Sequence, residues 1–209
     1  MPEIPPISWS EVSAQCGTGD VILFTGTDSG SQIIEDALGG PYSHVVMLVR
    51  PDPAQLPLMW QEATESPAFD PVRKIGAHPG AQAADALTVL KIMTDVGMLP
   101  YYRRLNWTRT PDFESKINAA MLELDTTPFG TYESMVQDFA EGRLGIDTGH
   151  ARMFCSQLVA LTLQRGGLLG DEHPANWYSP RSCGAQSADV ALLQGASYYI
   201  EQPIALPLA

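Results

Sequence analysis

The sequence predicts an α+β domain in which a small antiparallel sheet packs against a helix carrying a cysteine. Three observations point there. Short apolar runs bounded by Gly or Pro stand at 20–25, 42–50 and 58–64, as strands do. Apolar residues three and four apart mark helices at 31–38 and 113–124, and a run free of Gly and Pro at 155–164 is apolar on most sides. The strands stand near one another with helices segregated to the ends, instead of alternating in βαβ units. With 209 residues, 44% of them hydrophobic, and no internal repeat, the chain suits one domain over 1–209.

In order, residues 1–19 are rich in proline and read as an irregular lead-in with one helical turn at 9–14. Asp20-Val21-Ile22-Leu23-Phe24-Thr25 is the first strand. Ile33, Ile34, Ala37 and Leu38 give the next segment a helical face, closed by Gly39-Gly40-Pro41. Tyr42 to Arg50 is a continuous apolar run, the mark of a buried central strand, and His44 stands near its start. The prolines Pro51, Pro53 and Pro57 connect it to a strand at 58–64, antiparallel if the connection is a hairpin. Residues 65–85 read as a loop with a short strand at 72–75, and 86–92 as a further strand. The aromatic stretch 95–111 reads as irregular and is set apart as a possible insertion. An amphipathic helix at 113–124 buries Ile117, Met121 and Leu124, and a second helix follows at 132–142. The 155–164 helix stops at Gly166-Gly167, residues 173–180 form a loop, and a last strand at 197–204 is interrupted by Pro203.

Composition removes several classes of function. There are 24 acidic and 12 basic residues, a net charge of −12, and no basic cluster, so neither nucleic acid nor an anionic membrane is an expected partner. Residues 1–8 lack a signal peptide's basic and apolar regions, and nothing approaches the roughly 18 apolar residues of a membrane span. A soluble, cytoplasmic protein without a transmembrane segment is expected. Cys16, Cys155 and Cys183 are too few and too scattered for a disulfide framework or a zinc site with C-x-x-C spacing, and a Cys16–Cys183 bridge stays open; the thioester chemistry expected below needs no metal or cofactor.

Cys155 falls in the first turn of its helix, where the dipole and unpaired N–H groups favour the thiolate, the nucleophilic form. A small buried hydrophobe is the alternative role for such a cysteine. A nucleophile needs a base. Of His44, His78, His150 and His173, only His44 starts a buried strand that would fix its ring. If the strands at 44–50 and 58–64 pair antiparallel, Glu62 comes beside His44 and can hold its Nδ1–H; a slip of one residue would substitute Gln61.

Asp20-Val21-Ile22-Leu23-Phe24, Pro41-Tyr42-Ser43-His44-Val45, Glu62-Ala63, Pro128-Phe129-Gly130-Thr131-Tyr132, Phe154-Cys155-Ser156-Gln157-Leu158-Val159 and Tyr178-Ser179-Pro180 occur in that order. Together they resemble the permuted papain-like hydrolases of the NlpC/P60 superfamily, in particular the YaeF/YiiX group, over most of the chain. The resemblance implies a circularly permuted papain-like fold, with the histidine strand preceding the cysteine helix. It implies Cys155 as nucleophile, His44 as base and Glu62 as the orienting residue, with Tyr42 at an aromatic position near the site. Residues 95–111 and the region after Pro180 match nothing in that pattern.

The expected activity is therefore a cysteine amidase or peptidase working through a thioester, on a small peptide, amide or acyl-lipid substrate. Tyr132 belongs to one of the matching motifs, and Tyr101, Tyr102, Trp107, Trp177 and Tyr178 could line an apolar cleft. Three alternatives stand beside it: an LRAT-like acyltransferase or lipid esterase, an inert binding module that kept the fold, and a redox-sensing thiol resolved by Cys183. Oligomeric state is not legible.

Overall fold

The computed structural model describes residues 4–26, 29–50, 57–63 and 80–207. The elements run α1 (Trp9–Gln15), β1 (Val21–Gly26), α2 (Ser29–Leu38), β2 (His44–Val49), β3 (Leu58–Ala63), β4 (Gly80–Asp85), α3 (Ala86–Asp95), β5 (Met98–Arg103), β6 (Leu105–Asn106), α4 (Pro111–Leu124), α5 (Tyr132–Arg143), α6 (Cys155–Arg165), β7 (Ser197–Tyr198) and β8 (Gln202–Pro203). Among the described residues one antiparallel sheet has the order β4-β3-β2-β1-β5-β8, and β6 pairs with β7 beside it.

Side chains alternate across this sheet with the period of two that an extended backbone imposes. Val21, Leu23, Val45, Met47 and Trp60 face α4 and α6. Ile22, Phe24, Val46, Leu48 and Met59 face α1 and α3. Both faces are covered, so β2 is apolar without interruption after its first residue, as its sequence predicts. α6 ends where Gly167 adopts φ +77°, a left-handed conformation that glycine enters without steric cost.

Four readings of the sequence change. Residues 86–92 are not a strand but part of α3, because Asp85 accepts hydrogen bonds from Thr88 N at 2.8 Å and Thr88 Oγ1 at 2.7 Å and so caps a helix. Its β-branched Thr88, Val89 and Ile92 suggest a strand, but Ala86, Val89 and Leu90 bury one helical stripe. Residues 80–85 are not loop but β4. Its alanines have little strand propensity, yet Ala81, Ala83 and Ala84 are almost wholly buried, small enough for helices to close on both sides. The stretch 95–111 is not irregular: β5 lies inside the sheet between β1 and β8, despite Pro100. The single last strand is two short ones, in different sheets. The strand expected at 72–75 lies outside the described residues.

Two long-range ties close the molecule. Asp20, wholly buried, accepts from Tyr102 Oη (2.6 Å), Leu105 N (2.8 Å) and Gly17 N (3.0 Å), and pairs with Arg109. Burial raises the proton affinity of that carboxyl, against the opposing pull of Arg109. Ile7 bridges Ile204: Ile7 N donates to Pro203 O and Ala205 N to Ile7 O, both at 2.8 Å.

Candidate active site

Cys155 is the first residue of α6, follows an N-cap residue, Phe154, that makes no side-chain cap, and is 5% exposed. A helix of 11 residues without a side-chain cap keeps its positive end available to a negative charge at its first turn. Cys155, Cys16 and Cys183 are not joined in disulfides. Burial pushes the Cys183 thiol up to about 12 and the Cys16 thiol up to about 11. Cys183 therefore stays protonated at neutral pH, which makes it a poor resolving partner for the redox alternative.

The segment before the cysteine is fixed from two sides. Met153 N donates to Pro128 O at 2.9 Å and Phe129 bridges Met153, so the 128–132 motif runs beside the chain entering α6. Arg152 grips Asp138 of α5 with two bonds, 3.0 and 3.1 Å. Within α6, Ser156 Oγ donates to Tyr178 O at 2.9 Å, and Gln157 Nε2 to Gly149 O at 3.1 Å. Gln157 Oε1 and Asn176 Oδ1 are buried without a hydrogen-bond partner. None of Arg152, Asp138 and Asn176 was singled out as a site residue from sequence, because partners far apart in the chain leave no local pattern.

His44 opens β2, directly opposite Phe24 of β1, with the two rings 5.9 Å apart. Its Nε2 is buried and makes no hydrogen bond. Burial lowers its pKa from 6.5 to about 4, so the ring is neutral at pH 7. Pairing with Phe24 sets His44 in the alternation of Val46 and Leu48, whereas Cys155 packs with Val45 and Met47. Both residues belong to elements in contact, since β2 packs on α6. Glu62 lies in β3 opposite Ala81 of β4. The β2–β3 ladder runs from Met47↔Trp60 to Val49↔Leu58 and does not reach His44. Continued by the same register, it would set Glu62 opposite Val45, one residue from His44.

Of the aromatic candidates, Tyr42 is 8% exposed and donates to Glu201 at 2.8 Å, and burial followed by that carboxylate suppresses its ionisation. Tyr178 is buried and linked to the cysteine helix through Ser156; burial pushes its phenol up to about 12. Trp177 stacks on His173 at 4.1 Å, with Arg143 3.8 Å from its ring centre. Tyr132 is exposed at the start of α5, Tyr101 packs edge-on against Tyr42, Tyr102 belongs to the Asp20 cluster, and Trp107 packs on Phe113. These aromatics spread over several places and do not form one cleft wall.

The geometry defines an α+β protein with a cysteine-headed helix packed on an antiparallel sheet, a YiiX-like fold. No family model and no curated protein matches the chain by sequence. Among solved structures it is similar to the crystal structure of the metalloprotein YiiX from Escherichia coli O157:H7, DUF1105, with a TM-score of 0.51 and 18% identity over 73% of this chain and 67% of that one. Among the described residues no group of three or more His, Cys, Asp or Glu side chains could hold a metal ion, and no helix is long and apolar enough to cross a membrane.

Proposed function

We propose that the protein is a cysteine-dependent amidase or peptidase on a permuted papain-like, NlpC/P60-type scaffold, with Cys155 as nucleophile, His44 as base and Glu62 orienting the ring. The observation that carries this reading is the position of Cys155 at the head of an uncapped helix packed on the strand that His44 opens. The likeness to YiiX supports the fold and nothing finer. Nε2 of His44 has its acceptor capacity free. It takes the thiol proton as sulfur attacks the carbonyl carbon and the C=O electron pair moves onto the oxygen. The oxyanion is held by backbone N–H at the head of α6. The imidazolium then protonates the leaving amine as the C–N bond breaks, and water hydrolyses the thioester. With another acceptor in place of water the same steps give the LRAT-like acyl transfer. YiiX is a metalloprotein, whereas among the described residues of this chain no group of three or more His, Cys, Asp or Glu side chains could hold a metal ion.

A second reading, a binding module that kept the fold, is favoured by the packing of His44 against Phe24 and by the buried, unpartnered Nε2 of its ring. Alkylation separates the two. The rate of iodoacetamide modification at each cysteine, followed by mass spectrometry against pH in wild type and His44→Ala, reads out thiolate content. Fast reaction of Cys155 below pH 7 that is lost with His44 is the expected outcome. Reaction only near pH 8.5 in both proteins gives the site to the binding module.

A further inference from the structure

Arg181 opens onto solvent from a 3₁₀ turn at Pro180–Cys183 that touches β1, β2 and α6. Around it the chain is tied to both halves of the proposed site. A Cβ on Gly184 would stand 2.8 Å from the ring of Tyr42, two residues before His44. On the other side Tyr178 O accepts from Ser156, the neighbour of Cys155, and Ser179 N donates to Ser182 Oγ at 3.1 Å, holding the turn in place. The turn that carries Arg181 thus packs against both β2 and α6, with the Arg181 side chain lying over Gly39 and Gly40 ahead of β2.

Its stem is seated in a turn shaped for it. A Cβ on Gly40 would lie 2.5 Å from Arg181 Cγ and Cδ, and one on Gly39 3.3 Å from its Nη1. Any side chain at Gly40 would push the stem away. Its charge, by contrast, is unspent. Arg103, Arg109, Arg143, Arg152 and Arg165 each pair with a carboxylate, while Arg50 and Arg104 hydrogen-bond to oxygens of Ser13, Cys16 and Gln15. Arg181 has neither an ion pair nor a hydrogen bond among the described residues. In a chain with twice as many acidic as basic residues, a seated guanidinium without a carboxylate of its own is available to one from outside.

We infer that Arg181 is a substrate-anchoring residue, and that the substrate carries a carboxylate close to the bond attacked by Cys155. The planar fork of donors suits a carboxylate, which it can hold through two parallel bonds. This rests on the reading of Cys155 as nucleophile, and the experiment keeps the two apart. Full-length wild type, Arg181→Gln, Arg181→Lys and Lys116→Gln are each treated with iodoacetate and with iodoacetamide, and the rate at Cys155 is read by mass spectrometry. Both reagents form the same S–C bond with loss of iodide, but only iodoacetate presents a carboxylate. The iodoacetate-to-iodoacetamide rate ratio is expected to fall about tenfold in Arg181→Gln, which corresponds to 1.4 kcal/mol. Arg181→Lys should recover part of it. Lys116→Gln, which removes the same charge from exposed α4, should leave the ratio unchanged. A ratio unaltered in Arg181→Gln, or lowered equally in Lys116→Gln, overturns the anchor and leaves the nucleophile standing. No reaction at Cys155 with either reagent removes both.

Discussion

The two faces of the sheet are built from different chemistry. On the α6 side Ser156, Gln157 and Thr162 are wholly buried, and so are Asn176, Ser179 and Ser182 in the loop that packs there. Trp60 Nε1 reaches across to Thr162 Oγ1 at 3.0 Å. On the α1–α3 side, apart from Gln82 and the Tyr102–Asp20 bond, the core is hydrocarbon: Ile22, Phe24, Val46, Leu48, Met59 and Leu90. Buried polar groups cost stability unless they are bonded, so a domain that needed only to fold would not concentrate them beside one helix. One face is held together by hydrocarbon packing, and the other carries its buried polar groups along α6 and the loop that packs on it. His44 sits on the seam, at the end of a strand that serves both.

The sharpest way to break this division is Cys155→Ala. Loss of all thiol-dependent turnover with an unchanged melting temperature is expected, while Cys183→Ala changes neither; activity lost in Cys183→Ala at an unchanged melting temperature would move the nucleophile. Next comes Phe24→Ala, which empties a wholly buried ring site on the apolar face. Urea unfolding should show a loss of about 3–5 kcal/mol. Activity per folded molecule in that variant tells whether Phe24 also holds His44.

A smaller effect concerns acid. The folded state holds the His44 pKa at about 4, below the unfolded 6.5, so the unfolded chain takes up this proton first as pH falls. Its contribution is fully present above pH 6.5, declines between 6.5 and 4, and is gone below that, a change of about 3 kcal/mol. Urea midpoints at pH 7 and 4.5 should differ less in His44→Leu than in wild type. An equal difference in both proteins would mean that His44 titrates as a solvated ring.

Most of the α6 side was legible in the sequence, because its signals are local. A run without Gly or Pro before Gly166-Gly167 reads directly as a helix, and the run ending at Val49 reads as a buried strand. The failures came where tertiary cover overrides local preference. The alanines of β4 form a strand because helices press on them, and Pro100 is accepted inside β5. Only Asp85, read as an N-cap, could have turned 86–92 from strand to helix. The relation of His44 to Glu62 depends on register, where a shift of one residue exchanges the faces of a strand. Spacing along the chain does not carry that information. Arg181 was equally hidden, since its place is set by Gly39 and Gly40, far away in sequence.

The bridge between Ile7 and Ile204 has a consequence for engineering. Residues at opposite ends of the numbering stand one hydrogen bond apart, so a short peptide could splice them into a ring without disturbing the sheet order. Such a ring, reopened at Gly145 in the exposed turn after α5, would start a new chain ten residues ahead of the cysteine and keep all the strand ladders. In this architecture the neighbours are what is stored, and the point at which synthesis begins is free to move.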